Sequence, residues 1–249
     1  FQAEGRLPHG PSGRASFDHL RQNIADFCRA LREQSSGPMI PQAGKAEKVD
    51  LRIEDFHLTG QLDSFADDHT QVNLLCAGVG GRELLAGWIR HVVWHTLPNP
   101  ELSPQFTIVA GQKKGDLIAQ WFNPIGDTKK ANELLAGLLE LFWRGRCEPL
   151  LLFPKSSYAY ITASPKNLES EEAVRTKRIE NARAWWEGDE FDDSFSERDE
   201  PAHHLCFRNA DPLADPRFGQ LAEQVFGNLL NFKHSGRVTK AMITQRQAS

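Results

Sequence analysis

The chain has 249 residues, of which 40% are hydrophobic and 25% charged, and a formal net charge of −4. This is the profile of a globular protein with one substantial core, and it excludes collagen-like, low-complexity and highly charged disordered classes. No run approaches the roughly 18 apolar residues that cross a bilayer, and no basic-then-apolar leader is visible, so no membrane partner and a cytoplasmic location are expected. The opening Gly5-Arg6-Leu7-Pro8-His9-Gly10 reads as the interior of a longer chain.

Phe17, Leu20, Ile24, Phe27 and Leu31 recur at spacings of three and four and predict a first helix, ended by Ser35-Ser36-Gly37-Pro38. Val49 to Phe65 alternates loosely, and Gln71 to Ala77 is a short apolar run closed by Gly78, Gly80 and Gly81. These predict strands joined by the polar turn Ala66 to Thr70, with Leu58–Phe65 and Gln71–Ala77 adjacent and antiparallel at the centre of a sheet. Glu83 to Leu97 returns to helical spacing and stops at Pro98. A second hairpin is expected from Gln105–Gly111 and Asp116–Phe122 around Gln112-Lys113-Lys114-Gly115. Lys130 to Arg144 predicts an apolar helix stopped by Gly145. Pro149 to Pro154 reads as a buried strand or extended segment, and helices are expected over Glu171–Trp186 and Phe218–Phe232. The expected fold class is α/β, a mixed sheet flanked by helices, with a domain over 1–232 and a basic tail over 233–249.

The net charge conceals an uneven distribution. Glu187 to Glu200 carries eight acids against Arg198, a local −7 within the total of −4, which leaves +3 elsewhere. Such a run reads as a solvated or mobile loop, with a dock for a basic partner surface as the functional alternative. Lys233, Arg237, Lys240 and Arg246 give the last segment four bases and no acid, the pattern of a frayed tail or one that touches nucleic acid or a neighbour.

Cys28, Cys76, Cys147 and Cys206 lie far apart without a CxxC pair, so neither zinc nor a disulfide framework is indicated and buried, reduced thiols are expected. No phosphate-cradling GxxxxGK[ST] loop, HExxH, GxSxG or GxGxxG occurs. His203, His204 and Cys206 form a compact set of soft ligands; read as a strand, at most two would share a face, and a structural role is expected.

Leu58-Thr59-Gly60-Gln61-Leu62-Asp63-Ser64-Phe65, followed by Val72 to Gly78, resembles the core hairpin of PD-(D/E)XK, restriction-endonuclease-like nucleases. There, acids on neighbouring strands hold a divalent cation and a lysine two residues beyond the second acid positions the attacking water. Asp63 stands at the first acid, but Cys76 occupies the second acid position and Gly78 the lysine position. Around it, Gly5 to Gly13, Glu83 to His91, Leu138 to Leu150 with Phe153 to Tyr160, Ala184 to Gly188 and Phe207 to Leu213 are similar, in order, to segments of the RecC C-terminal nuclease-like domain. The resemblance implies a degenerate nuclease fold, without catalytic residues or metal of its own, in a subunit of exodeoxyribonuclease V. The implied partners are RecB and RecD, double-stranded DNA ends and single-stranded DNA, with ATP and magnesium used by the partner subunits. An active nuclease of the AddB/Cas4 type is the enzyme alternative, opposed by Cys76 and Gly78; a scaffold touching only protein is the third reading.

Lys113 and Lys114 at a hairpin tip, and Arg144, Arg146 and Lys155 beside the apolar helix and strand, are the nucleic-acid-binding candidates. Trp185 and Trp186 cannot both face one core from a helix; a shared intramolecular pocket is the favoured reading, and one exposed ring acting as an interface anchor is the alternative.

Overall fold

The computed structural model describes residues 7–34, 39–98, 105–113, 116–163, 170–188, 196–208 and 210–236. Helix α1 (Pro11–Gln34) is followed by a hairpin of β1 (Glu47–Ile53) and β2 (Phe56–Leu62), then β3 (Phe65–Asp67), β4 (Thr70–Leu74), α2 (Gly81–Thr96), β5 (Phe106–Lys113) and β6 (Asp116–Phe122). The remainder is helical apart from its last strand: α3 (Thr128–Cys147), α4 (Pro154–Thr162), α5 (Glu171–Glu187), α6 (Pro201–Phe207), α7 (Pro216–Ala222), a π-helical turn (Glu223–Gly227), α8 (Asn228–Phe232) and β7 (Lys233–Gly236).

The five strands β3-β4-β5-β6-β7 lie in that order, with β4 and β5 parallel and every other pair antiparallel. This is a mixed sheet, and α2 is the crossover that a parallel pair requires. Strand alternation sorts the side chains into two layers. Val72, Ile108, Ala110, Leu117 and Ala119 pack with Phe27 and Leu31 of α1. Val109 and Phe122 turn the other way, into a larger core with Leu84, Trp88 and Val92 of α2. Trp88 anchors that side, its ring 5.4 Å from both Phe122 and Phe232.

The expected strand Leu58–Phe65 is broken. Residues up to Leu62 pair with β1 in a separate two-stranded sheet, and only Phe65 onward joins β4. Ser64 adopts φ 66°, a left-handed kink that redirects the chain between the two sheets. Leu62 and Phe65 are both buried at a spacing of three, which a continuous strand facing one core does not allow. The β3–β4 pair therefore sits at the sheet edge rather than its centre, and the turn between its strands contracts to Asp68-His69.

Other expectations change in detail. Gly145 does not stop α3, which continues to Cys147. Pro149 to Phe153 forms no strand and bends at Leu151, and α4, absent from the expected elements, begins at Pro154, where the missing proline N–H costs a helix nothing. His203, His204 and Cys206 lie on helix α6, not a strand. All four cysteines are exposed rather than buried. Lys233 to Gly236 forms the edge strand β7, and the Lys233 Nζ donates to Gln120 Oε1 at 2.9 Å. The rest of the basic tail lies outside the described residues. Trp186 is buried and Trp185 exposed, so the two rings do not share an intramolecular pocket.

A polar layer lies between α2 and the sheet. In the neutral tautomer that satisfies both contacts, His91 donates Nε2–H to the Asn123 carbonyl and accepts at Nδ1 from the Thr107 hydroxyl, each at 3.0 Å. His95 donates Nδ1–H to the His91 carbonyl at 2.9 Å. Its Nε2 is buried without a hydrogen bond of good geometry, although the Gln105 backbone is near enough to offset slightly the effect of burial. Burial pushes both imidazoles below their ordinary range, His91 well below it and His95 to about 4. Both therefore stay neutral in the fold while the unfolded chain takes up protons below about pH 6.5. This contribution is fully present above that pH and is lost as pH falls; for His95 the loss runs from about 6.5 towards 4 and is on the order of 2 kcal/mol at pH 5, and His91 acts in the same direction. Urea denaturation from pH 7 to 5 is expected to show this loss, and His95→Gln to have a shallower pH dependence than the wild type.

Candidate functional site

Asp63 lies between β2 and β3, at the kink that separates the two sheets, and its side chain is exposed. Ser64 Oγ donates to its Oδ1 at 3.2 Å, while Gln71 Nε2 donates to its carbonyl at 3.0 Å and the Val72 N–H to the Ser64 carbonyl at 2.8 Å. The backbone of this corner is thus pinned to β4, and the carboxylate is left facing solvent.

Cys76 and Gly78 follow β4 in an irregular extension that stays beside β5. The Leu75 N–H donates to the Ala110 carbonyl and the Gln112 N–H to the Ala77 carbonyl, both at 2.9 Å. Gly111 makes this approach possible, since a Cβ there would stand 2.3 Å from the Ala77 oxygen. A Cβ at Gly78, by contrast, would meet nothing within 4 Å. Space for a longer side chain exists at the lysine position, and the residue is nonetheless glycine. Partial shielding from water raises the exposed Cys76 thiol above its ordinary range, helped by the nearby Cys28, so this position supplies a neutral thiol. Among the described residues no group of three or more His, Cys, Asp or Glu side chains is placed to hold a metal ion.

The basic candidates fall on three elements. Lys113 ends β5 and is exposed; Lys114 lies outside the described residues. Arg144 and Arg146 occupy the last turn of α3, where cations suit the helix dipole, and Arg144 is engaged with Glu148 at 3.3 Å. Lys155 is in the first turn of α4, its N–H donating to Glu197 Oε1 at 2.8 Å. The described candidates sit on three separate elements, and Arg146 follows the exposed Phe142 and Trp143 by four and three residues along α3.

Glu197 is the residue that sequence reasoning missed. Within the acidic run it is fully buried, not solvated. Its carboxylate accepts from the N–H groups of Lys155 and Ser156, both at 2.8 Å, and from Ser156 Oγ at 2.7 Å. These are the first donors of α4, which lack partners within the helix. The Glu197 carbonyl accepts from His203 Nδ1 at 2.7 Å, and His203 packs against Phe153 and Trp186 with ring centroids at 5.0 and 5.8 Å. His203 is thereby structural, as expected, and the acidic segment is tied to the aromatic core. The signal available in sequence was the Pro-Lys-Ser-Ser start of a helix needing an acceptor, but nothing in it pointed to a residue 41 positions away.

The class these observations define is an α/β domain whose mixed sheet carries helices on both faces. The family follows from comparison: a model described as the RecC C-terminal domain matches residues 1–165, and the chain belongs to that family. The match takes in α1 to α4, so the resemblances at Ala184–Gly188 and Phe207–Leu213 lie beyond it. The family ties the chain to a subunit of exodeoxyribonuclease V, the RecBCD complex, and to DNA repair and recombination. No individual curated protein matches the chain. Among the described residues no helix is long and apolar enough to cross a membrane.

Replacing Glu197 by Ala would leave the buried N–H and hydroxyl of Ser156 and the part-buried N–H of Lys155 without their acceptor. The expected loss is about 3 kcal/mol of stability, measured by urea denaturation, since each hydrogen bond to a charged group contributes about 1.5–3 kcal/mol and part is recovered by water.

Proposed function

We propose that this domain handles DNA without cutting it, as a non-catalytic, subunit-contacting part of the RecBCD helicase/nuclease in the cytoplasm. The observation that carries this reading is the donor set of the hairpin: Asp63 alone on an exposed corner, Cys76 as a neutral thiol and Gly78 with open space where a lysine would stand. A magnesium ion demands several hard oxygen ligands and gives up its water reluctantly, so a single exposed carboxylate leaves it mostly hydrated. ATP hydrolysis and magnesium-dependent cleavage then belong to RecB and RecD, and this chain contributes surface to the passage of duplex ends and single strands.

Phosphate contact is assigned to Lys113 and Lys114, with Lys155 as a second point. Lys113 is exposed at the end of a strand and enters no ion pair among the described residues. Arg144 is a poorer candidate because Glu148 already engages it.

In the assembled complex, Asp63→Ala is expected to leave magnesium-dependent cleavage of linear duplex unchanged; a large loss of cleavage would show that this hairpin does chemistry. Lys113→Ala/Lys114→Ala is expected to weaken binding of forked DNA and to reduce the log–log salt slope by about one unit for each phosphate no longer neutralised. An unchanged affinity and slope would remove these lysines from the DNA path.

A further inference from the structure

Helix α1 meets the sheet with its C-terminal half. Phe27, Ala30 and Leu31 are buried, whereas Phe17 and Ile24 of the same apolar stripe are exposed. Phe27 and Leu31 make the contact with Val72, Ile108, Ala110, Leu117 and Ala119. Cys28 adjoins Phe27 and is exposed, which puts its thiol at the margin of this contact rather than within it.

The strand pattern brings a second thiol to the same layer. Val72 belongs to the cluster that holds Phe27 and Leu31, and Leu74 packs against it. Two residues on, Cys76 continues that alternation. The chain stays beside β5 past the end of β4, since the Leu75 N–H donates to the Ala110 carbonyl and the Gln112 N–H to the Ala77 carbonyl. Cys76 is exposed as well, so both side chains can rotate without displacing a packed neighbour. Charge interactions between exposed groups fade quickly with distance, and Cys28 is near enough to push the Cys76 thiol up. Cys147 and Cys206 belong instead to α3 and α6, which pack on the other core.

We propose that Cys28 and Cys76 form a reversible thiol–disulfide pair, an oxidation site that ties the docked end of α1 to the segment following β4. The oxidant is a low-molecular-weight disulfide such as oxidised glutathione. One protein thiolate attacks a glutathione sulfur, forming a mixed disulfide and releasing glutathione; the second thiolate attacks the protein-side sulfur of that mixed disulfide and releases another. Two protein thiols are thereby oxidised, one glutathione disulfide is reduced, and the protons pass to the two departing thiolates. A thiol with a raised pKa is less often ionised, but its thiolate is the stronger nucleophile. In a reducing compartment such a bond is transient, the behaviour of a redox-sensing pair. The inference does not depend on the DNA-handling reading.

The test incubates the full-length chain, folded and reduced, with oxidised glutathione, quenches in acid and maps tryptic peptides by mass spectrometry. The expected product joins Gln22–Arg29 to Ile53–Arg82, the peptides that hold Cys28 and Cys76, with the loss of one hydrogen from each thiol. Dithiothreitol is expected to separate them. Cys28→Ser is expected to leave glutathione on Cys76, and Cys76→Ser to leave it on Cys28, because the resolving thiol is gone. In urea the preference for this pair over pairings with Cys147 and Cys206 is expected to disappear. Glutathione retained on both thiols of the folded wild type, or linked peptides no more abundant from the folded than from the unfolded chain, would overturn the proposal. Amide exchange over α1 is expected to slow on oxidation of the wild type and not of Cys28→Ser; equal exchange in the two would contradict the tie to the helix.

Discussion

The left-handed kink at Ser64 is the constraint on which the rest of this structure turns. Non-glycine residues adopt that backbone region only when their surroundings hold them there. Here the Ser64 carbonyl accepts from Val72 and the Asp63 carbonyl from Gln71, so strand β4 fixes the corner. The corner lets Leu62 face one part of the core and Phe65 another, which divides the hairpin from the five-stranded sheet. It also turns Asp63 out to solvent. One local backbone choice thus sets both the topology and the chemical poverty of the hairpin.

Beyond the corner, the architecture is held by buried polar groups as much as by apolar ones. His91, Thr107 and Gln71 are fully buried between α2 and the sheet, and the hydrogen bonds that satisfy the His91 imidazole fix which way α2 lies over β5. Glu197 plays the same part at the start of α4. Such groups specify one arrangement because each has few acceptable partners, and leaving any of them unpaired costs more than the hydrogen bond contributes. Surface charge is organised differently. Arg183 is tied to Asp211, Arg217 to Asp215 and Arg82 to Glu200, so these cations are committed within the molecule.

Much of the scaffold was legible in the sequence, and the reason is periodicity. Helices α1, α2, α3 and α5 and strands β5 and β6 carry long enough repeats of 3.6 or 2 for the pattern to declare the element. The apolar repeat of α3 was visible too, but not that Phe142 and Trp143 lie outside the core, because hydrophobicity alone does not separate a buried face from an uncovered one. Helices α4 and α6 are nine and seven residues long, too short for a period, and their real signal is a proline at the first helical position. Glu197 was hidden because charge counted over a run says nothing of one carboxylate turned inward to meet distant amides. At the candidate site, the identities of Asp63, Cys76 and Gly78 were legible in the sequence; the broken strand that separates them from a regular hairpin depended on tertiary contacts.

On the function proposed here, the hairpin around Asp63 holds no catalytic cation. Calorimetric titration of magnesium into the full-length chain addresses it without reference to any partner subunit. The expected result is no saturable binding up to millimolar magnesium, identical for wild type and Asp63→Ala, because a lone exposed carboxylate cannot strip the ion of its water. Stoichiometric binding that disappears in Asp63→Ala would contradict the account.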